Sequence, residues 1–256
     1  MHLLRFIFHL CTVILLSILT QVGGLIWLLS LYIAKRTSWK KRYTFSLLYL
    51  VFNLIIISPL ASAFGRERLP VFSNKVAAVN WFYPLAFRNY VTPKLKTVLL
   101  EASKTSPIKI TYLDANFPFI NGFLLLPHLS HNDGKKVDLS FMYLNKNGKC
   151  TDKKPSVSGY GVFVKEKNLT ATQCINNGYW QYDYSKYLTF GSVNDLVFDA
   201  KRTKQLIKIL STNSKTQKIF IEPYLKQSLG LQNASKVRFH GCQAVRHDDH
   251  IHLQIK

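Results

Sequence analysis

The chain has 256 residues, with 34 lysines and arginines against 13 acids and a formal net charge of +21. Its residues are 48% hydrophobic and its mean hydropathy is +0.04, high for a protein so rich in lysine. That length holds one ordinary domain plus a smaller appendage and excludes a string of full domains.

The apolar excess sits in the first quarter. From Phe6 to Ala34 the only strongly polar interruptions are His9 and Gln21, and a second apolar run extends from Tyr43 to Phe64. Each run reaches the ~20 residues a helix needs to cross a hydrocarbon core of about 30 Å. Between them, "KRTSWKKR" carries Lys35, Arg36, Lys40, Lys41 and Arg42 with no acid. Short loops rich in Lys and Arg stay cytoplasmic. Residues 1–65 therefore read as a two-span anchor, with the N-terminus and everything after Phe64 on the opposite side of the membrane from the basic loop. Ala61-Ser62-Ala63 matches a signal-peptidase site, but a signal peptide does not carry an extra upstream span, which favours a retained anchor.

Residues 66–105 read as a linker with an aromatic stretch, "NWFYPLAF", and a lead-in helix opened by Thr92-Pro93 with Leu95, Val98 and Leu99 on one face. Ile108 to Leu113 alternates and is rich in β-branched residues, as a strand does. Val137 to Leu144 is a second strand, and Val157 to Val164 a third, interrupted by glycines. Asp199 caps a helix running to Leu210, "KIFIEP" is a short buried strand, and Pro223 starts a helical turn that Gly230 ends. Strands and helices mix without a βαβ rhythm, so the fold class is α+β with a mostly antiparallel sheet. Cys150, Cys174 and Cys242 lie in this exported part. Cys150 and Cys174 are the expected disulfide, since Cys242 adjoins the histidines, and one thiol is left over. The lysine-rich surface suits anionic partners, lipid head groups or wall polymers. No compact basic-aromatic motif indicates nucleic acid.

The chain ends on "HDDHIHLQIK". On a strand, His250, His252 and Gln254 share one face, while Ile251, Leu253 and Ile255 share the other. A slip of one residue would bury both imidazoles in the core, so the pattern specifies its own register. Upstream, "PHLSHNDGKKVDLSF" follows the same logic. Val137, Leu139 and Phe141 face a core, and Asp138 and Ser140 project from the other side. His131 precedes Asp138 by seven residues across Gly134, and His128 lies three residues earlier. Six of the eight histidines (His128, His131, His240, His247, His250 and His252) lie in or beside these two clusters. Two imidazoles and a carboxylate are a common catalytic zinc set, with one position left for water.

H-x-x-G-x-x-V-D at His131 to Asp138, followed by H-D-D-H-x-H at His247 to His252, resembles the penicillin-insensitive murein endopeptidases, of the lysostaphin and D-Ala-D-Ala metallopeptidase group. "FDAKRTKQLIKIL" and "KIFIEPYLKQSL" look like the helix and strand-helix before that family's second motif. The likeness spans Ser106 to Lys256, read as a zinc metallopeptidase domain over 106–256. The two-span anchor and the smaller number of cysteines depart from the family's pattern.

The resemblance implies that His131, Asp138 and His252 hold Zn²⁺. His250 would be the non-ligand base or transition-state stabiliser, with His247 and His128 completing the polar shell around water and scissile carbonyl. Such a site acidifies its water and polarises a carbonyl, and a neighbouring imidazole can carry the proton to the leaving amine. Related D,D-peptidases use an acid three positions before the last ligand, where Asp249 stands. On a strand, however, Asp249 points away from His252. Asp248 and Asp249 are instead expected to orient imidazoles, and Ser140 to lie beside the ligands without a serine mechanism. The implied activity is hydrolysis of peptidoglycan cross-links on the outer side of a bacterial cytoplasmic membrane. The alternatives are a D,D-carboxypeptidase or dipeptidase of the same group, or a zinc-containing wall-peptide-binding module.

Overall fold

A computed structural model describes residues 2–105 and 107–256. The fold is mixed α+β with mostly antiparallel sheets. The boundary expected at Ser106 lies outside the described residues.

The first apolar run is not one helix. Gln21 adopts a left-handed conformation (φ 66°), and the chain doubles back between helix His2–Thr20 and helix Gly23–Thr37. Small residues permit the close return: a Cβ on Gly24 would meet Val13 and Ser17, and one on Gly23 would meet Leu16 and Thr20. Farther along, the His9 and Trp27 rings lie 5.8 Å apart, so the two helices run antiparallel. A third helix, Lys41–Ala63, contains a π-helical turn at Phe52–Ile56. Helices His2–Thr20 and Lys41–Ala63 are long and apolar enough to cross a membrane. This arrangement corrects the expected placement of the N-terminus. Leu4, Arg5, Phe8 and His9 share a surface recess with Lys41, so the N-terminus lies at the same end of the bundle as the basic loop.

The remaining chain is built on a six-stranded sheet. Its strands run, edge to edge, Val237–Arg238, Thr216–Phe220, His250–Ile255, Lys136–Ser140, Ile110–Tyr112 and Val76–Ala78. The two outer pairs are parallel and the inner pairings antiparallel. One face receives Val137, Leu139, Ile251, Leu253 and Ile255, all buried. Helices Pro93–Thr105 and Ala200–Thr212 cover that face with Leu95, Val98, Leu99, Leu206, Ile207 and Leu210. Each such side chain contributes about 1.5–3 kcal/mol by leaving water. Asp199 caps the second helix by accepting from Arg202 N–H at 3.0 Å.

Several expected elements change. The lead-in helix forms as Pro93–Thr105, but residues 66–90 are not a linker: Leu69 and Val76 belong to the same core, and Val76–Ala78 is an edge strand. The strand expected over Val137 to Leu144 leaves the main sheet after Ser140. Its last part, Tyr143–Leu144, pairs with Cys150–Thr151 and Val197–Phe198 in a separate three-stranded sheet. Val157 to Val164 is not a strand. Gly159 (φ 88°) and Gly161 (φ 82°) take left-handed turns that break pairing and bury Tyr160 against the main sheet. The expected Cys150–Cys174 bridge is also absent. Cys174 on helix Leu169–Asn176 bonds Cys242 with Cα atoms 5.2 Å apart, whereas Cys150 is exposed on the small sheet.

The reversal at Gln21 is directly checkable. In a Cys11→Ser background, cysteines at His9 and Trp27 should be joined by a short bismaleimide reagent in intact membranes. A continuous helix would hold those positions about 27 Å apart and give no intrachain product.

Candidate metal centre

The register of two strands assembles the centre. His250–Ile255 pairs with Lys136–Ser140 so that His252 stands directly opposite Asp138. Directly opposed residues share a face with Cβ atoms roughly 4.5–5.5 Å apart, and His252 Nδ1 lies 2.8 Å from Asp138 Oδ1. His131 arrives from the preceding loop. Gly134 turns that loop with φ 75° and donates its N–H to Asn116 Oδ1, and a side chain there would strike Arg66. His131 Nε2 then lies 3.2 Å from both His252 Nδ1 and Asp138 Oδ1. The ligand atoms of His131, Asp138 and His252 all lie within 4.8 Å of one another, and all three residues are buried.

The outward atoms of His131 and Asp138 are already engaged. His131 Nδ1–H donates to the Ala115 carbonyl at 2.9 Å, which fixes the tautomer and leaves Nε2 for the centre. Tyr160 donates its hydroxyl to Asp138 Oδ2 at 2.7 Å, leaving Oδ1 for the centre. Metal sites use such outer hydrogen bonds to orient their ligands. Two imidazole nitrogens and one carboxylate oxygen, convergent, with His131 and Asp138 held from behind, suit a divalent ion. The buried His-Asp-His group can hold a metal.

Two further imidazoles are backed by carboxylates. His250 Nδ1–H donates to Asp249 Oδ1, and Asp249 Oδ2 accepts from Gly161 N–H at 2.6 Å. His250 Nε2 comes within 3.8 Å of Asp138 Oδ2. His128 Nδ1–H donates to Asp114 Oδ2 at 2.9 Å, and Arg88 clamps Asp114 through two nitrogens. His247 projects beside them with its ring 4.9 Å from that of His250. Six imidazoles and one carboxylate (His128, His131, Asp138, His240, His247, His250 and His252) line one cavity of about 590 Å³.

Burial and charge separate these imidazoles. Burial pushes His252 down to about 4 despite Asp138. His247 falls well below its ordinary value because of burial and then the nearby His250 and His252. His250 goes the other way: burial lowers it, but Asp138 and Asp249 outweigh that and carry it up to about 9. Burial would raise Asp138, yet His131 and His250 hold it well below the usual carboxylate range. Burial lowers His131 too, but Asp138 outweighs it and leaves this ligand raised above its ordinary value, unlike His252.

Not every expected site residue is there. Asp249 orients an imidazole, whereas Asp248 does not: its oxygens accept from Arg246 and from Tyr224 Oη at 2.8 Å. Ser140 is buried and donates its hydroxyl to the Phe141 carbonyl, outside the cavity lining. Glu222, read as a helix start, does precede helix Pro223–Ser228. Its buried carboxylate also accepts from His247 N–H and Tyr182 Oη. Arg88, Asp114 and Tyr160 were missed altogether. Asp114 lies just beyond strand Ile110–Tyr112 and Tyr160 follows a glycine, and neither position carries a spacing that marks it.

The opposite cavity wall is Trp180, Gln181 and Tyr184. Disulfide Cys174–Cys242 anchors it, Gln181 Nε2 donates to the Cys242 and Gln243 carbonyls, and Arg246 N–H donates to the Tyr182 carbonyl.

Asp138→Asn or His252→Ala should abolish stoichiometric zinc or cobalt binding by equilibrium dialysis, whereas Asp248→Asn should retain it. Asp114→Asn leaves the buried Arg88 guanidinium uncompensated. It should cost about 3–5 kcal/mol in chemical denaturation, because a broken buried pair strands a charge.

No protein-family model matches this chain, and no curated protein matches it.

Proposed function

We propose that this chain is a membrane-anchored zinc metallopeptidase that hydrolyses peptide cross-links of peptidoglycan, a murein endopeptidase. The observation that carries the reading is the convergence of His131, Asp138 and His252 on one cavity, with His250 held against Asp249 beside them. Two nitrogens and one oxygen suit Zn²⁺. When bound, the ion supplies Lewis-acid polarisation of a carbonyl and a water acidic enough to react near neutrality.

The chain's own groups supply positioning and proton transfer. Asp249 keeps the His250 Nδ1 proton in place, so Nε2 is the atom that takes a proton from the attacking water and returns it to the leaving amine. Asp114, clamped by Arg88, sets the tautomer of His128 in the same way, leaving Nε2 as a bare acceptor toward the cavity. Tyr160 holds Asp138 in the orientation in which one oxygen faces the two ligand imidazoles. Trp180 and Tyr184 on the far wall offer flat apolar surface to an extended peptide.

Helices His2–Thr20 and Lys41–Ala63 would anchor the chain in the bacterial cytoplasmic membrane. The grouping of Arg5 with the basic loop at one end supports a cytoplasmic N-terminus, and with it a metal centre on the extracytoplasmic side.

The test incubates the full chain in detergent with cross-linked muropeptides and reads products by mass spectrometry. Conversion of dimers to monomers, lost with a chelator and in His252→Ala, is the expected result. His250→Ala should lose turnover by at least 10²-fold, the scale of general acid–base catalysis, while keeping its metal. Loss of a terminal alanine alone would make it a carboxypeptidase. No product from folded, zinc-loaded protein would make it a wall-peptide-binding module. If Asp249→Ala abolishes turnover and His250→Ala does not, the base is Asp249.

A further inference from the structure

The domain does not stand off from its helices; it reaches down beside them. Tyr49 Oη donates to the Leu85 carbonyl at 2.7 Å, and Asn53 Nδ2 donates to the Pro84 carbonyl at 2.9 Å. Arg68 closes the same junction by donating to Asn53 Oδ1 at 3.0 Å. Tyr49 lies 14 residues before Ala63, the end of its helix, or about 21 Å along the axis. The short helix Phe82–Leu85 is therefore level with the middle of the apolar helix, not with its end. Irregular backbone at such depth needs its polar groups covered by protein, and Tyr49 and Asn53 provide that cover.

Outward from this junction the side chains are apolar and uncovered. Trp81 and Phe82 are half-exposed or more, and Phe72 packs on Trp81 at 4.5 Å. A second uncovered group lies on the loop between Phe117 and His131. That loop is tied to the helices by Phe119 N–H donating to Gln21 Oε1 at 2.9 Å and by the Phe119 ring against Phe64. From there Ile120, Leu124, Leu126 and Leu129 are exposed in succession, at 59, 50, 46 and 54%. Leu126 and Leu129 also line the metal cavity. The level of a bilayer is given by helix His2–Thr20, whose exposed side chains are apolar from Phe6 to Leu19, up to the turn that holds this loop.

We propose that the loop Ile120–Leu129 and the Phe72–Trp81–Phe82 cluster rest in the bilayer, so that the metal cavity opens at the membrane surface and takes substrate presented there. The occupant is lipid and not a protein partner, because both apolar groups flank helices that already set the depth, and aromatic side chains concentrate at that boundary. Arg88 links the two parts: it follows Phe87, which packs on Tyr49, and it clamps Asp114 and the Leu126 carbonyl behind His128. The inference rests on the anchor reading above but not on the peptidase reading.

The test reconstitutes the full chain, with Cys11→Ser and Cys150→Ser, in phosphatidylcholine vesicles containing nitroxide-labelled phospholipid. An environment-sensitive thiol probe is placed singly at Ile120→Cys, Leu124→Cys, Leu15→Cys or Lys208→Cys. Leu15 lies exposed on the first helix, and Lys208 on the helix covering the opposite face of the sheet. Quenching at 120, 124 and 15 but not at 208 supports the proposal. Quenching at 15 without quenching at 120 and 124 overturns it alone. No quenching at 15 overturns the anchor reading and this inference with it.

Discussion

The pairing of His252 against Asp138 is the interaction on which the rest of the site depends. Both residues lie on inner strands of one sheet, and their shared face is fixed by the opposite one. There Val137, Leu139, Ile251 and Leu253 are buried under two amphipathic helices. Moving the register by one residue would carry both cavity-facing side chains into that core and the aliphatic ones into the cavity. The hydrophobic effect thus positions the polar chemistry, and the ligands need no stabilising energy of their own to stay in place.

Around that pair, the structure keeps polar groups buried by giving each a partner. Asp249 is held by a backbone N–H and an imidazole, and Asp114 by a guanidinium and an imidazole. Tyr160 covers the outer oxygen of Asp138. Unpaired, these charges would be costly in so dry a setting. Paired in this way, they orient His250 and His128 and push the cavity's imidazoles apart in proton affinity. The disulfide-anchored wall opposite contributes shape and not charge, since Trp180 and Tyr184 carry apolar surface to the same cavity.

The helical bundle and the metal centre share this economy. Asn53, a polar interruption in an apolar helix, is buried against the backbone of Phe82–Leu85, and Phe87 from the same segment packs on Tyr49. One residue later Arg88 enters the electrostatic network behind His128. A short stretch of chain therefore joins the apolar helices to the polar cavity. The stretch that looked like a connector is a structural bridge.

The terminal strand, the face its histidines share, the strand bearing Asp138, the capped helix after Asp199 and the α+β class were all legible in the sequence. Each rests on a period of two or 3.6 residues or on a cap, which are local properties of consecutive side chains. The shared polar faces of Asp138 and His252 were legible in the same way, whereas the full set with His131, which lies on a loop, came from the family resemblance. Three things were decided by tertiary structure alone. The first apolar run folds back at Gln21, because Gly23 and Gly24 let helices pack closely, and hydropathy does not distinguish one long helix from two short ones. Cys174 bonds Cys242 and not Cys150, because bridge formation depends on approach through space, to which spacing along the chain is blind. Arg88, Asp114 and Tyr160 joined the site from three separate segments, and Asp248 left it for Arg246. Hydrogen bonds to a buried ligand are set by which loops the packed core brings alongside, and no periodicity in a single chain records that.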